Sequence, residues 1–168
     1  MALSKKFKVE LEKALRKELK KYSIEYFKFE HEKIICAYLP ILSDCRIKLG
    51  LHDIEIFIEA EKKRIDPAHN LIKTLIWLDE NNSKDPVILL QVFDEAYVME
   101  DKPQIEMCKF IHNKIHSYYK NFIYCPLNVS GLTACHEIPP SFPIKQVCAR
   151  IAEVARKLVE GYKVRLKK

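Results

Sequence analysis

Residues 86–94 read PVILLQVFD, a continuous apolar run of strand length. Successive residues of a strand point to opposite faces, so a run that is apolar at both parities needs cover on both sides. Helices packed on the two faces of a sheet supply such cover, and the expected class is α/β.

Residues 51–64, LHDIEIFIEAEKKR, carry a different pattern. Ile54, Ile56, Ile58 and Ala60 fall on one side; Glu55, Phe57, Glu59, Glu61 and Lys63 fall on the other. This alternation predicts a strand with one core face and one open, charged face. Glu is depleted in strands and like charges on one face repel, so the charged side asks for an explanation.

The remaining segments complete the order. An apolar stripe through Leu3, Phe7, Leu11, Ala14, Leu15 and Leu19 predicts a helix over 3–21. Aromatic and β-branched residues predict one or two strands in 24–42, and 44–62 reads as a hairpin turning at Gly50-Leu51-His52. Asp66-Pro67 is a helix start, with Asp as N-cap, and that helix is expected to bury Leu71, Ile72, Leu75 and Trp77 or Leu78 before Asn81-Asn82-Ser83 ends it. A helix over 103–121 runs through Ile105, Cys108, Ile111, Ile115 and Tyr118, and NFIYCPLNVSG is a last strand. The connector EIPPSFP leads to a final helix with Ile144, Val147, Ile151, Val154, Leu158 and Tyr162 as its stripe. The expectation is a single α/β domain over 1–168, a mixed central β-sheet flanked by helices in the order αβββαβαβα. Its core covers about 5–130, followed by the helix 143–166.

At 168 residues, 48% hydrophobic and 31% charged, the composition is that of an ordinary globular chain. No apolar run reaches the ~18 residues that span a bilayer, so no membrane role is expected. The charged N-terminus lacks an apolar signal core, and a cytoplasmic location follows as the expectation. Six cysteines without a CxxC pair read as free thiols rather than a zinc site or a disulfide framework. Charge is uneven: residues 1–21 carry +5, residues 143–168 carry +6 and the middle carries −5. An acidic middle between basic ends suits a protein that grips a polyanion around a bound cation.

In the hairpin, Asp44 opens one strand while Glu59 and Glu61 close its antiparallel neighbour, so three carboxylates converge. Oxygen-only donors call for Mg²⁺ or Mn²⁺. Asp44 followed after fourteen residues by Glu59-Ala60-Glu61 resembles the motif of the PD-(D/E)XK nucleases, the restriction endonuclease-like fold. That family places the first acid at the start of the second strand of a meander and the (D/E)-x-K pair at the end of the third. The resemblance implies a divalent-metal-dependent endonuclease hydrolysing DNA, with RNA not excluded and a homodimer left open. Asp44, Glu59, Glu61 and the Ala60 carbonyl would be the metal ligands.

Two departures stand out: no proline adjoins Asp44, and Glu61 fills the lysine slot. The basic partner is then Lys63, from the literal Glu61-Lys62-Lys63 triplet, or Lys73 on the next helix, which shares a face with Asn70. Lys62, Arg64, Asn70 and His69 are candidate nucleic-acid contacts, and the basic terminal helices would add phosphate contacts. Asp53, at the turn, is set aside; Glu25 or Glu30 are further acidic candidates. Glu55 is expected to be a solvated edge, and His112 and His116 surface histidines rather than a metal pair. The competing readings are a nucleic-acid-binding protein of the same fold without catalysis and a protein–protein adaptor.

Overall fold

The computed structural model describes residues 4–24, 28–34, 42–49, 54–61, 66–95, 102–130 and 143–166. In chain order its elements are α1 (Lys5–Lys20), β1 (Lys28–Ile34), β2 (Leu42–Leu49), β3 (Ile54–Glu61), α2 (Ala68–Asn81), β4 (Val87–Asp94), α3 (Lys102–Tyr118), β5 (Phe122–Val129) and α4 (Ile144–Leu166). The five strands form one mixed sheet in the order β1-β2-β3-β4-β5. β1, β2 and β3 are an antiparallel meander, while β4 and β5 add in parallel. The class is α/β.

Each parallel step needs a crossover, and both step the same way along the sheet. Their helices α2 and α3 therefore land on one face, where Leu71, Trp77, Leu78, Cys108 and Ile115 pack with Phe57, Leu89 and Phe122. The other face is covered by α1 and α4, through Phe7, Leu11, Leu15, Ile151 and Ala155 against Ile47, Ile56, Ile58, Ile88 and Leu90. Cys148 Sγ lies 3.8 Å from the Phe7 carbonyl and ties the two helices together. β4 is buried at every position, as its uniform apolar run requires. Pro126 sits in β5, where the missing N–H can face outward from the edge of the described sheet.

Local signals set the helix ends. Ser4 Oγ accepts from Phe7 N–H at 3.2 Å, capping α1. Pro67 already has helical angles, φ −67 and ψ −25. Asp66 Oδ1 accepts from Ala68 N–H at 3.0 Å, so Asp66 caps α2. Asn82 ends that helix in the left-handed region, φ 43.

Several expectations need correction. The charged side of β3 is not open, because α2 covers it: Glu55, Phe57 and Glu59 are all buried. α2 turns Asn70, Leu71, Thr74, Trp77 and Leu78 inward and leaves Ile72 45% exposed, with Leu75 half-buried. Two polar residues, Asn70 and Thr74, take inward positions that an apolar stripe alone assigns elsewhere. Tyr118 is 83% exposed, and Tyr119 takes the packed position by donating to Asp79 Oδ1 at 2.9 Å. On α4 the inner line is Cys148, Ile151, Ala152, Ala155 and Val159, with Val154, Leu158 and Tyr162 only partly buried. Alanines bring that helix close to the sheet, which shifts its buried arc away from the larger side chains. Cys45, Cys108, Cys125 and Cys148 are free thiols; burial raises the pKa of Cys125. Cys36, Cys135 and Leu3 lie outside the described residues. Among the described residues no helix is long and apolar enough to cross a membrane.

Candidate active site

Strand register aligns residues of the α2-covered face into rows across the sheet. Arg46 pairs with Phe57 and Cys45 with Ile58, where the pairing of β2 with β3 ends, and extending that register by one step would set Asp44 opposite Glu59. Glu59 lies beside Gln91, and Glu61 beside Phe93. On β1, between the pairs His31–Cys45 and Lys33–Ser43, Glu32 falls opposite Asp44. One row thus runs Glu32, Asp44, Glu59, Gln91. It lies in the carboxyl-terminal halves of the parallel strands β3 and β4, towards the end at which open α/β sheets bind ligands.

Gln91 fixes the roof over this row. Its side chain is fully buried, with Nε2 donating to the Pro67 carbonyl at 2.8 Å and Oε1 accepting from Tyr124 O–H at 2.8 Å. The start of α2 is therefore held at the level of Glu59. Farther along, Trp77 meets Phe57 edge-on with centroids 5.2 Å apart, and the Arg46 guanidinium lies 5.8 Å from the Trp77 ring. α2 consequently runs antiparallel to β3. Lys73 lies on the part of α2 between Pro67, hydrogen-bonded to Gln91, and Trp77, packed on Phe57.

The row nearer the hairpin turn has a different role. Glu55 is 4% exposed and accepts two hydrogen bonds from Arg46, Nε and Nη2 each at 2.9 Å, with Lys48 Nζ at 3.8 Å. The solvated edge expected at Glu55 is instead a buried, bidentate ion pair that joins β2 to β3 beneath Trp77. Such a pair fixes register and strand choice more than it adds stability.

The other expected residues divide clearly. Ala60 lies between the two glutamates, with its side chain in the α1/α4 core. Lys73 is half-buried, Asn70 is buried on the sheet side of α2, and His69 is exposed. Glu30 lies opposite Arg46, one row away from Asp44. Lys62, Lys63, Arg64, Asp53 and Glu25 lie outside the described residues. His112 and His116 are half-buried against β5, not surface side chains: their ring centroids are 5.7 Å apart, and His116 Nδ1 is 3.0 Å from the Phe122 carbonyl. Burial, with a smaller contribution from His116, lowers the pKa of His112.

Among the described residues no three His, Cys, Asp or Glu side chains form a metal-binding group. Glu59, 6% exposed, is a carboxylate buried beside a row of further carboxylate positions. A carboxylate buried at this depth needs a hydrogen-bonding or cationic partner, and an all-oxygen donor set would suit Mg²⁺ or Mn²⁺. Two members of the row were missed in the sequence. Gln91 is the one polar residue inside VILLQVF, and a buried amide in a core strand is itself a signal that something nearby must be held. Glu32 alternates with Glu30 in KFEHEKI and falls at the register position of Asp44, between the pairs His31–Cys45 and Lys33–Ser43. Comparison with known protein families, characterised proteins and solved structures gave no match to this chain.

Proposed function

We propose that the chain is a divalent-metal-dependent endonuclease that hydrolyses phosphodiester bonds of DNA, on an arrangement resembling the PD-(D/E)XK nucleases. The observation that carries the reading is the buried Glu59 in the carboxyl-terminal half of β3, opposite which the β2–β3 register, extended one step, would set Asp44, with Glu61 two residues on. The order of a helix, a three-stranded meander, a helix and a further strand supports it.

Asp44, Glu59 and the Ala60 carbonyl would hold Mg²⁺ or Mn²⁺. The ion would supply Lewis-acid stabilisation of phosphoryl charge and a lowered pKa for a nucleophilic water. The chain's own residues do the rest. Lys73 stabilises negative charge that develops at the phosphate, with Lys63 as the alternative basic group. Glu61 receives the proton of the attacking water or shares in holding a second ion. His69, exposed at the first turn of α2, and Lys62 and Arg64 contact the nucleic acid beside the row. Gln91 keeps α2 seated so that these groups stay in register. A cytoplasmic protein is part of the same reading.

The test is cleavage of plasmid, duplex, single-stranded and branched DNA with Mg²⁺ or Mn²⁺. Glu59→Gln and Asp44→Asn abolish cutting while circular dichroism stays that of the wild type. Cutting that survives both substitutions, or a wild type that cuts none of these forms, overturns the reading. Glu61 in the slot where the motif carries a lysine favours a second reading, a nucleic-acid-binding protein of the same fold without catalysis. That reading expects salt-dependent DNA binding and no Mn²⁺ binding.

A further inference from the structure

The positive charge of this chain is sorted by layer. α1 holds seven Lys or Arg against three Glu, and α4 holds six against two, so each helix is +4. Together they exceed the +6 of the whole chain. Both helices lie on one face of the sheet, while Glu59 and Gln91 point to the other. The two basic ends therefore do not flank the carboxylate row, as the sequence suggests; they form a layer behind it.

Within that layer the lysines are ordered. Lys6, Lys13, Lys17 and Lys20 follow one another at intervals of seven, four and three residues, which keeps them on a single ridge of α1. The ridge is about 21 Å long at 1.5 Å rise per residue. It borders a groove to α4 lined by Lys13, Lys17 and Lys145 together with Glu10 and Glu18. The glutamates are already engaged: Glu10 with Lys13 at 3.1 Å and Glu18 with Lys21 at 2.6 Å. Lys6, Lys17, Lys20 and Lys145 are exposed and form no ion pair among the described residues.

We propose that the Lys6–Lys20 ridge and its groove to α4 are a second phosphate-binding surface, which takes a nucleic-acid backbone on the sheet face opposite the carboxylate row. The occupant follows from charge complementarity and from where the apolar surface of α1 goes. A helix that binds a bilayer surface must insert an apolar face. Phe7, Leu11, Leu15 and Leu19 are all committed to the core, which leaves the outer face of α1 charged apart from Val9, at 37% exposure too small a patch to insert. At 3.4 Å per nucleotide along one strand, the ridge spans about six nucleotides. Contacts of this kind position a polyanion without reading its sequence. The inference rests on the nucleic-acid reading above but not on catalysis.

Binding of a fluorescein-labelled 20-base-pair duplex is measured by anisotropy in EDTA, across a KCl series. The variants are Lys17→Gln/Lys20→Gln/Lys145→Gln, the corresponding Lys→Arg triple, and Glu59→Gln, each confirmed as folded by circular dichroism. The Gln triple should bind about tenfold or more weakly, with a log–log salt slope shallower by about 2–3. The Arg triple should bind as the wild type does, and Glu59→Gln should bind without cutting when metal is restored. Unchanged affinity and slope in the Gln triple overturn the proposal. So does an equal loss on replacing Lys109, Lys114 and Lys120 on the opposite face. Phosphatidylserine vesicles that bind more tightly than DNA through the same lysines would mark a membrane surface and overturn it too. Lysine-dependent binding by a wild type that never cuts keeps this surface and removes only the nuclease reading.

Discussion

Gln91 and Pro67 are joined across 24 residues of chain by a 2.8 Å hydrogen bond, from a fully buried amide to the carbonyl at the start of α2. The same amide accepts from Tyr124, so one side chain links β4, β5 and α2 beside Glu59. Replacing it with Leu keeps the volume but leaves a buried carbonyl and a phenol without their partner. The expected cost is about 2–4 kcal/mol, read by urea unfolding. Gln91→Glu should also weaken Mn²⁺ binding or cleavage through the displaced roof, whereas Tyr124→Phe should cost less than Gln91→Leu.

The Arg46–Glu55 pair gives a second expectation. Arg46→Met leaves Glu55 buried with Lys48 as its one remaining cation among the described residues, and should destabilise the protein by about 3 kcal/mol. Adding Glu55→Leu removes the stranded charge and should recover at least half of that loss. A double variant less stable than either single one would contradict this account. Trp77, the chain's single tryptophan, lies over the pair, and its fluorescence reports the repacking directly.

Phe57 supports the other side of Trp77 and is fully buried. Phe57→Ala should cost about 3–5 kcal/mol and loosen α2 from β3. Leu89→Ala, elsewhere in the same cluster, should match it in cost but leave the Trp77 emission closer to the wild type.

Lys73 is expected to act on rate and not on fold. Lys73→Met should slow metal-dependent cleavage by about 100-fold or more, with single-turnover kinetics as the readout and the thermal midpoint nearly unchanged. Full activity in this variant, with loss in Lys63→Met, would assign the basic role to Lys63.

His112 should make stability depend on pH. Its folded pKa is lowered from 6.5, by burial first and by His116 second, so the unfolded chain takes up the proton more readily. The contribution is complete above about pH 6.5 and is lost as the pH falls from there through the lowered folded value. Urea midpoints should thus drop between pH 7.5 and pH 5.5, and His112→Asn should flatten that drop.

Much of the architecture is written in local pattern. The uniform burial of VILLQVF, the two-residue alternation of IEIFIEAE and the Asp66-Pro67 start each specify their element, because periodicity and capping act over a few residues. The antiparallel hairpin register follows as well, since Ile54, Ile56 and Ile58 must all face the core together. The pairs from Leu49–Ile54 to Cys45–Ile58 follow that register, and the expectation of Asp44 against Glu59 is its continuation. Which helix covers which face is not local. Two parallel crossovers stepping the same way put α2 and α3 over the charged side of β3 and left α1 and α4 behind it. Only that arrangement turned Glu55 from an expected solvated edge into a buried ion pair, gave Gln91 its two partners, and separated the basic layer from the carboxylate row. Burial and partnership belong to contacts between segments far apart in the chain, and no single stretch of sequence carries them.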